Sequence, residues 1–155
     1  MNEKYVPSNF SVFYQIADEA FSEMLKAEKK YRKPCEDNPE RTIISYDPSR
    51  TSFKSGMKVI VFSCMALEAI LHLMAGDKLS KSKLHDFDRS NYEQKLSRFN
   101  ILDVADDCKR LSRIRRQLVH EQSHTKWTTD IVQVEAKFVF LFVNRLFERL
   151  GVSVS

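Results

Sequence analysis

Five of the eight residues from 109 to 116 are basic (Lys109, Arg110, Arg113, Arg115 and Arg116), and His120 follows them. Histidine has a free pKa near about 6.5, so it takes or gives a proton near neutrality. Arginine presents a planar fork of donors matched to phosphate oxygens. Together these types point to proton transfer beside a phosphate. A plainer account also exists. Asp103, Asp106 and Asp107 precede the bases, and acids first with bases last suits a helix dipole. At about 100° per residue, Lys109, Arg113, Arg116 and His120 share one helical face. Arg115 falls elsewhere, four residues after Leu111 and three before Leu118, on the stripe predicted to be buried. A buried arginine needs an acid. Glu68 is the sole acid between Val59 and Met74, with His72 one turn further on, so Glu68 is expected to face and pair with Arg115. Such a pair has two readings. It fixes the register of two helices, or it holds an arginine at an anion site beside His120. Helical phase favours Arg113 and Arg116 as the arginines beside the histidine, and the choice stays open.

A second motif overlaps the first. His120-Glu121-Gln122-Ser123-His124 fits H-E-x-x-H, in which two histidines one turn apart bind zinc and the glutamate acts as base. The site needs a continuous helix and a third ligand, for which Glu135 and Glu148 are the candidates. Gln122 and Ser123 suit the buried middle of such a helix poorly, and the helical pattern ends here, so no metal or other cofactor is expected. Cys35, Cys64 and Cys108 form no C-x-x-C pair, which argues against a zinc finger or dithiol site. No glycine-rich phosphate loop is present. Trp127 is expected to plug the end of the molecule, and Lys78, Lys81 and Lys83 to be solvated.

The elements that must position these residues are helices. Phe10, Phe13, Ile16, Ala17, Ala20, Phe21, Met24 and Leu25 recur at three-four spacing, predicting a helix from about Asn9 to Arg32, stopped by Lys33-Pro34. Residues 34–51 read as a polar loop, with Thr42 to Tyr46 able to pair as a short strand. A second helix is expected from about Ser52 to the stop at Gly76. It is apolar on nearly every face from Val59 to Met74, as in a helix surrounded by others. Residues 77–89 read as polar and irregular. Ser90 with Glu93 predicts a capping box opening a short helix to about Phe99. Asn100 with Asp103 predicts the cap of the basic helix, which carries Val104, Cys108, Leu111, Ile114 and Leu118 inward and ends near His120. The last helix is expected from Asp130 to Gly151. Four long helices and one short one make an all-α bundle, a single domain over residues 1–155.

Composition agrees. Apolar residues are 43% and charged residues 30% of the 155, a globular balance. Three glycines and four prolines are too few for the turns of a sandwich or barrel. The longest uncharged apolar run, Val59 to Leu67, is under half of the ~20 residues a membrane span needs, so no membrane crossing is expected. An odd cysteine count, with no apolar signal core behind Met1-Asn2-Glu3-Lys4, fits a reducing cytoplasm. The net charge of +4 permits an anionic partner without demanding one.

Arg115-Arg116-Gln117-Leu118-Val119-His120 resembles the signature of the HEPN domains, an arginine followed after four to six residues by a histidine near a helix end. Phe62-Ser63-Cys64-Met65-Ala66-Leu67-Glu68-Ala69 is similar to the alanine- and glutamate-bearing helix of many HEPN proteins. The resemblance covers nearly the whole chain. It implies a homodimer that cuts RNA without metal, using the ribose 2′-hydroxyl as nucleophile. His120 would move protons and Arg115 would hold the phosphate, with Arg113, Arg116 and Lys109 assisting and Glu68 supporting. It further implies toxin or antiviral-defence roles with a cognate antitoxin. Some family members are non-catalytic modules that bind a nucleotide, RNA or a protein. Two positions depart from the pattern. Arg116 stands where catalytic members commonly have a small polar residue or histidine. Gln122 stands where toxins regulated by nucleotidyltransferases often have tyrosine.

Overall fold

The structure is a computed structural model that describes residues 8–44, 47–119 and 129–154. Among these residues the chain is mostly helical, in line with its composition. Six helices run in order: α1 Asn9–Tyr31, α2 Thr51–Gly76, α3 Lys81–Arg89, α4 Tyr92–Ser97, α5 Ala105–Val119 and α6 Thr129–Arg149. Two three-residue strands, β1 Arg32–Pro34 and β2 Thr42–Ile44, pair antiparallel after α1.

Helix α2 is the centre. Val59, Ile60, Cys64, Ala66, Leu67 and Leu71 are all but fully buried, and the helix packs along α1 and α6 and against α3 and α5. Its length and mean hydropathy would also suffice for a membrane span, although no uncharged run within it is long enough. Gly56 sets how closely the helices approach. A Cβ there would meet Val132 Cγ1 at 3.0 Å and Met24 Sδ at 3.3 Å. The aromatic side of α1 meets α6, with Phe21 stacked on Phe140 at 4.1 Å and Phe10 edge-on to Phe147 at 5.2 Å.

Three local expectations are corrected. Residues 81–89 form helix α3 rather than an irregular segment. Its buried Phe87 lies edge-on to Phe99, and this tertiary contact compensates for a polar sequence. The capping box of α4 is Asn91 with Gln94, not Ser90 with Glu93. Ser90 instead donates to the Asp86 carbonyl at the end of α3. Asn100 does not cap α5. It closes α4 in the left-handed conformation (φ 59°), with Ile101 N–H bonded to the Leu96 carbonyl and Asn100 N–H to Ser97. Asparagine suits both roles, and the chain uses the second. Gly151 (φ 71°) closes α6 in the same way, as its sequence position predicts. The structure therefore has two short helices where the sequence suggested one.

Candidate functional site

Helix α5 buries Cys108, Leu111 and Ile114 of the expected stripe, with Val104 buried just before it and Leu118 only partly covered. Its two flanks are tied to different neighbours. On one side Arg110 donates through Nε and Nη2 to Glu135 of α6 at 3.3 and 3.4 Å, and its guanidinium lies 3.9 Å from the centre of the Phe138 ring. Glu135, a candidate zinc ligand, is thereby engaged. On the other side Arg115 meets Glu68 of α2. Nη1 lies 2.6 Å from Oε1 and Nη2 lies 3.2 Å from Oε2, a two-pronged fork.

The expected pair thus forms, but it is not buried. The Arg115 side chain is 46% exposed and that of Glu68 is 30% exposed. Helical phase correctly points Arg115 toward α2. What phase does not reveal is that the space there is an open cleft. This cleft holds about 470 Å³ between α2, α3, α4 and α5. Four cations line it (Arg89, Lys95, Arg115 and Arg116) with two carboxylates, Glu68 and Asp88.

Tyr92, at the start of α4, completes the network. It is buried, and its hydroxyl donates to Glu68 Oε1 at 2.7 Å. Burial, then Cys64 and Glu68, push its pKa upward, so the phenol stays a neutral donor at physiological pH. Burial works against the charge of Arg115, and the Glu68 carboxylate beside it favours the charge, the guanidinium pKa being raised on balance. Beneath them, burial pushes the Cys64 thiol up to about 12, which leaves it a packing residue rather than a nucleophile. Glu68 therefore receives donors from two helices, and Arg115 is held at the mouth of the cleft with one edge of its fork engaged.

The remaining candidate residues divide. Arg116 lines the same cleft as Arg115 and Glu68. Lys109 and Arg113 are exposed on the solvent side of α5 and do not line it. His72 does not join Glu68. Its Nδ1 lies 2.9 and 3.0 Å from the Asp88 carboxylate, linking α2 to α3. His120, Glu121, His124 and Trp127 lie outside the described residues. Among the described residues no group of three metal-binding side chains occurs.

Sequence reasoning missed Tyr92, Lys95 and Arg89 as site residues. Lys95 is only 9% exposed, with Nζ 5.7 Å from the centre of the Phe87 ring, a contact worth about 0.5–2 kcal/mol. One signal was available. Tyr92 and Lys95 are three apart and so share one side of α4, beside the apolar Leu96 that the core must bury. Comparison of the chain with family models, with curated proteins and with solved structures finds no match.

Proposed function

We propose that the chain is a HEPN-type bundle of four long helices that acts as a metal-independent endoribonuclease, as a cytoplasmic homodimer of the kind used in toxin–antitoxin and antiviral-defence systems. The observation that carries this reading is the cleft in which Arg115, oriented by Glu68 and Tyr92, adjoins Arg116, Lys95 and Arg89. Its volume, about 470 Å³, suits a ligand of nucleotide size. Arg115 keeps its outer donors for a phosphate, whose charge grows as the 2′-oxygen attacks phosphorus and the 5′-oxygen leaves. His120, five residues further along the chain, would take the 2′-hydroxyl proton. A second proton must reach the leaving oxygen, and a two-fold dimer supplies the second histidine.

One observation favours the alternative, a non-catalytic dimeric module binding RNA, a nucleotide or a protein. Both Nη groups of Arg115 are engaged by Glu68, and Arg116 occupies the position that catalytic HEPN proteins give to a small polar residue or histidine. Cleavage of a mixed RNA pool in excess EDTA separates the two. The nuclease reading expects cleavage by the wild type and none by His120→Ala. A folded wild type that leaves the pool intact moves the assignment to the binding module.

A further inference from the structure

Lys95 has the least exposed side chain among the four cations of the cleft, and its surroundings do not neutralise it. The two carboxylates lining the same space are engaged elsewhere, Glu68 by Arg115 and Tyr92 and Asp88 by His72. Among the described residues, none pairs with Lys95, Arg89 or Arg116. The Phe87 ring faces the ammonium, but a phenyl face supplies no acceptor oxygen to it. A lysine whose stem is covered and whose ammonium opens onto the cleft without a carboxylate partner among the described residues is arranged for an anion that arrives from outside.

Placement adds the chemical class. Lys95 lies one helical turn after Tyr92 on α4, so it stands beside the Glu68–Tyr92–Arg115 network without belonging to it. Arg89 ends α3 and Arg116 follows Arg115 on α5. Three helices thus contribute one cation each, unpaired among the described residues, to a space already bordered by Arg115. We propose that Lys95, with Arg89 and Arg116, forms a second phosphate subsite adjoining the phosphate position at Arg115. The ligand class this fits is an oligonucleotide with consecutive phosphodiesters rather than a mononucleotide. The proposal rests on the reading of the cleft as an RNA site and adds the residue that holds the neighbouring phosphate.

The test uses a short fluorescent single-stranded RNA carrying 2′-O-methyl groups, which lacks the attacking hydroxyl and is bound without being cut. Its anisotropy is followed over a range of salt with the full chain as wild type, Lys95→Met, Arg89→Gln and, as a control at an exposed position of α1 that does not line the cleft, Lys26→Gln. Methionine keeps most of the apolar stem of Lys95 and removes the charge. The expected result is an affinity loss of about tenfold or more for Lys95→Met at low salt. The slope of log affinity against log salt should shrink by about 0.7 for the lost contact. Arg89→Gln should lose affinity severalfold, and Lys26→Gln should stay within about twofold of the wild type. Without RNA, Lys95→Met should melt close to the wild type, because the thioether keeps the packing on Phe87 and removing an unpaired charge offsets the lost cation–π contact. A lysine with a purely structural role gives the reverse, a lower Tm with unchanged binding. Wild-type affinity in Lys95→Met overturns the subsite and leaves the RNA reading of the cleft standing. If the wild type ignores the RNA, inorganic pyrophosphate is the second probe. Binding that Lys95→Met abolishes keeps the subsite and removes the RNA reading, and no binding overturns the subsite. Should Lys95→Met fail to fold, Arg89→Gln decides by the same criteria.

Discussion

At the scale of single residues, the site rests on one carboxylate shared between two donors. Glu68 and Arg115 are both partly in water, so their ion pair is worth no more than about 0.5–1 kcal/mol. The bond from Tyr92 is different. It is made by a residue that is 5% exposed and ends on a charged acceptor, which places it at about 1.5 kcal/mol or more. Tyr92→Phe is therefore expected to cost more stability than Glu68→Gln, although only the latter removes a charge. Urea denaturation checks this. The midpoint should fall further for Tyr92→Phe with the slope unchanged, and equal shifts would mean that Tyr92 only packs. The double variant should fall short of the sum, because Glu68→Gln leaves a neutral amide acceptor and so weakens the same bond that Tyr92→Phe removes.

At the scale of elements, two features fix how helices meet. Gly56 brings α2 against α6 and α1. Alanine there gains about 1 kcal/mol of helix propensity but must push back Val132, a fully buried β-branched residue 3.0 Å from the added atom. Overpacking costs about 1–3 kcal/mol, so Gly56→Ala is expected to lower the unfolding midpoint despite the better helix former. A raised midpoint would show that α6 can shift. The second feature joins the segment before α5 to the end of α6, where Arg149 Nη2 meets Asp103 at 2.6 Å. This hydrogen bond is the main cause that holds the Asp103 pKa below its ordinary 3.8. A depressed folded-state pKa contributes stability that is present above the unfolded value and lost as pH falls through the folded one. Arg149→Gln should therefore return the Asp103 carboxyl to its ordinary titration range, followed by NMR, and bring the acid limb of the stability profile to higher pH. An unchanged titration would mean that the pair does not persist in solution.

At the scale of the whole molecule, the core is organised around α2, and its cysteines report on it. Burial pushes Cys64 of α2 up to about 12 and Cys108 of α5 up to about 11, while Cys35 beside the short hairpin is only partly covered. Alkylation near neutral pH should label Cys35 in the native protein. Cys64 and Cys108 should be labelled only as the fold opens, at a rate that follows global stability. Mass spectrometry of the labelled chain reads this directly, and early labelling of Cys64 would place the weak point of the fold at α2.

The mostly helical class and the approximate extents of α1, α2 and α6 were legible in the sequence. Glycine and proline are scarce, and the apolar residues of α1 and α5 repeat with a helical period that needs no tertiary information. The meeting of Glu68 with Arg115 was legible as well, because an acid alone on an apolar helix and an arginine on an apolar stripe each need a partner. Helix α3 was not legible, since Phe87 has to find Phe99 before a polar segment becomes worth ordering. The end of α4 was not legible either, because asparagine opens and closes helices equally well and only the neighbouring backbone decides which. The openness of the cleft was the largest gap. Periodicity gives the direction in which a side chain points, but whether that direction holds packed atoms or space depends on where four separate helices come to rest. That placement turned Arg115 from an expected core residue into one bordering a cleft, and it gathered Lys95, Arg89 and Arg116 around the same space although their spacing along the chain gives no sign of it.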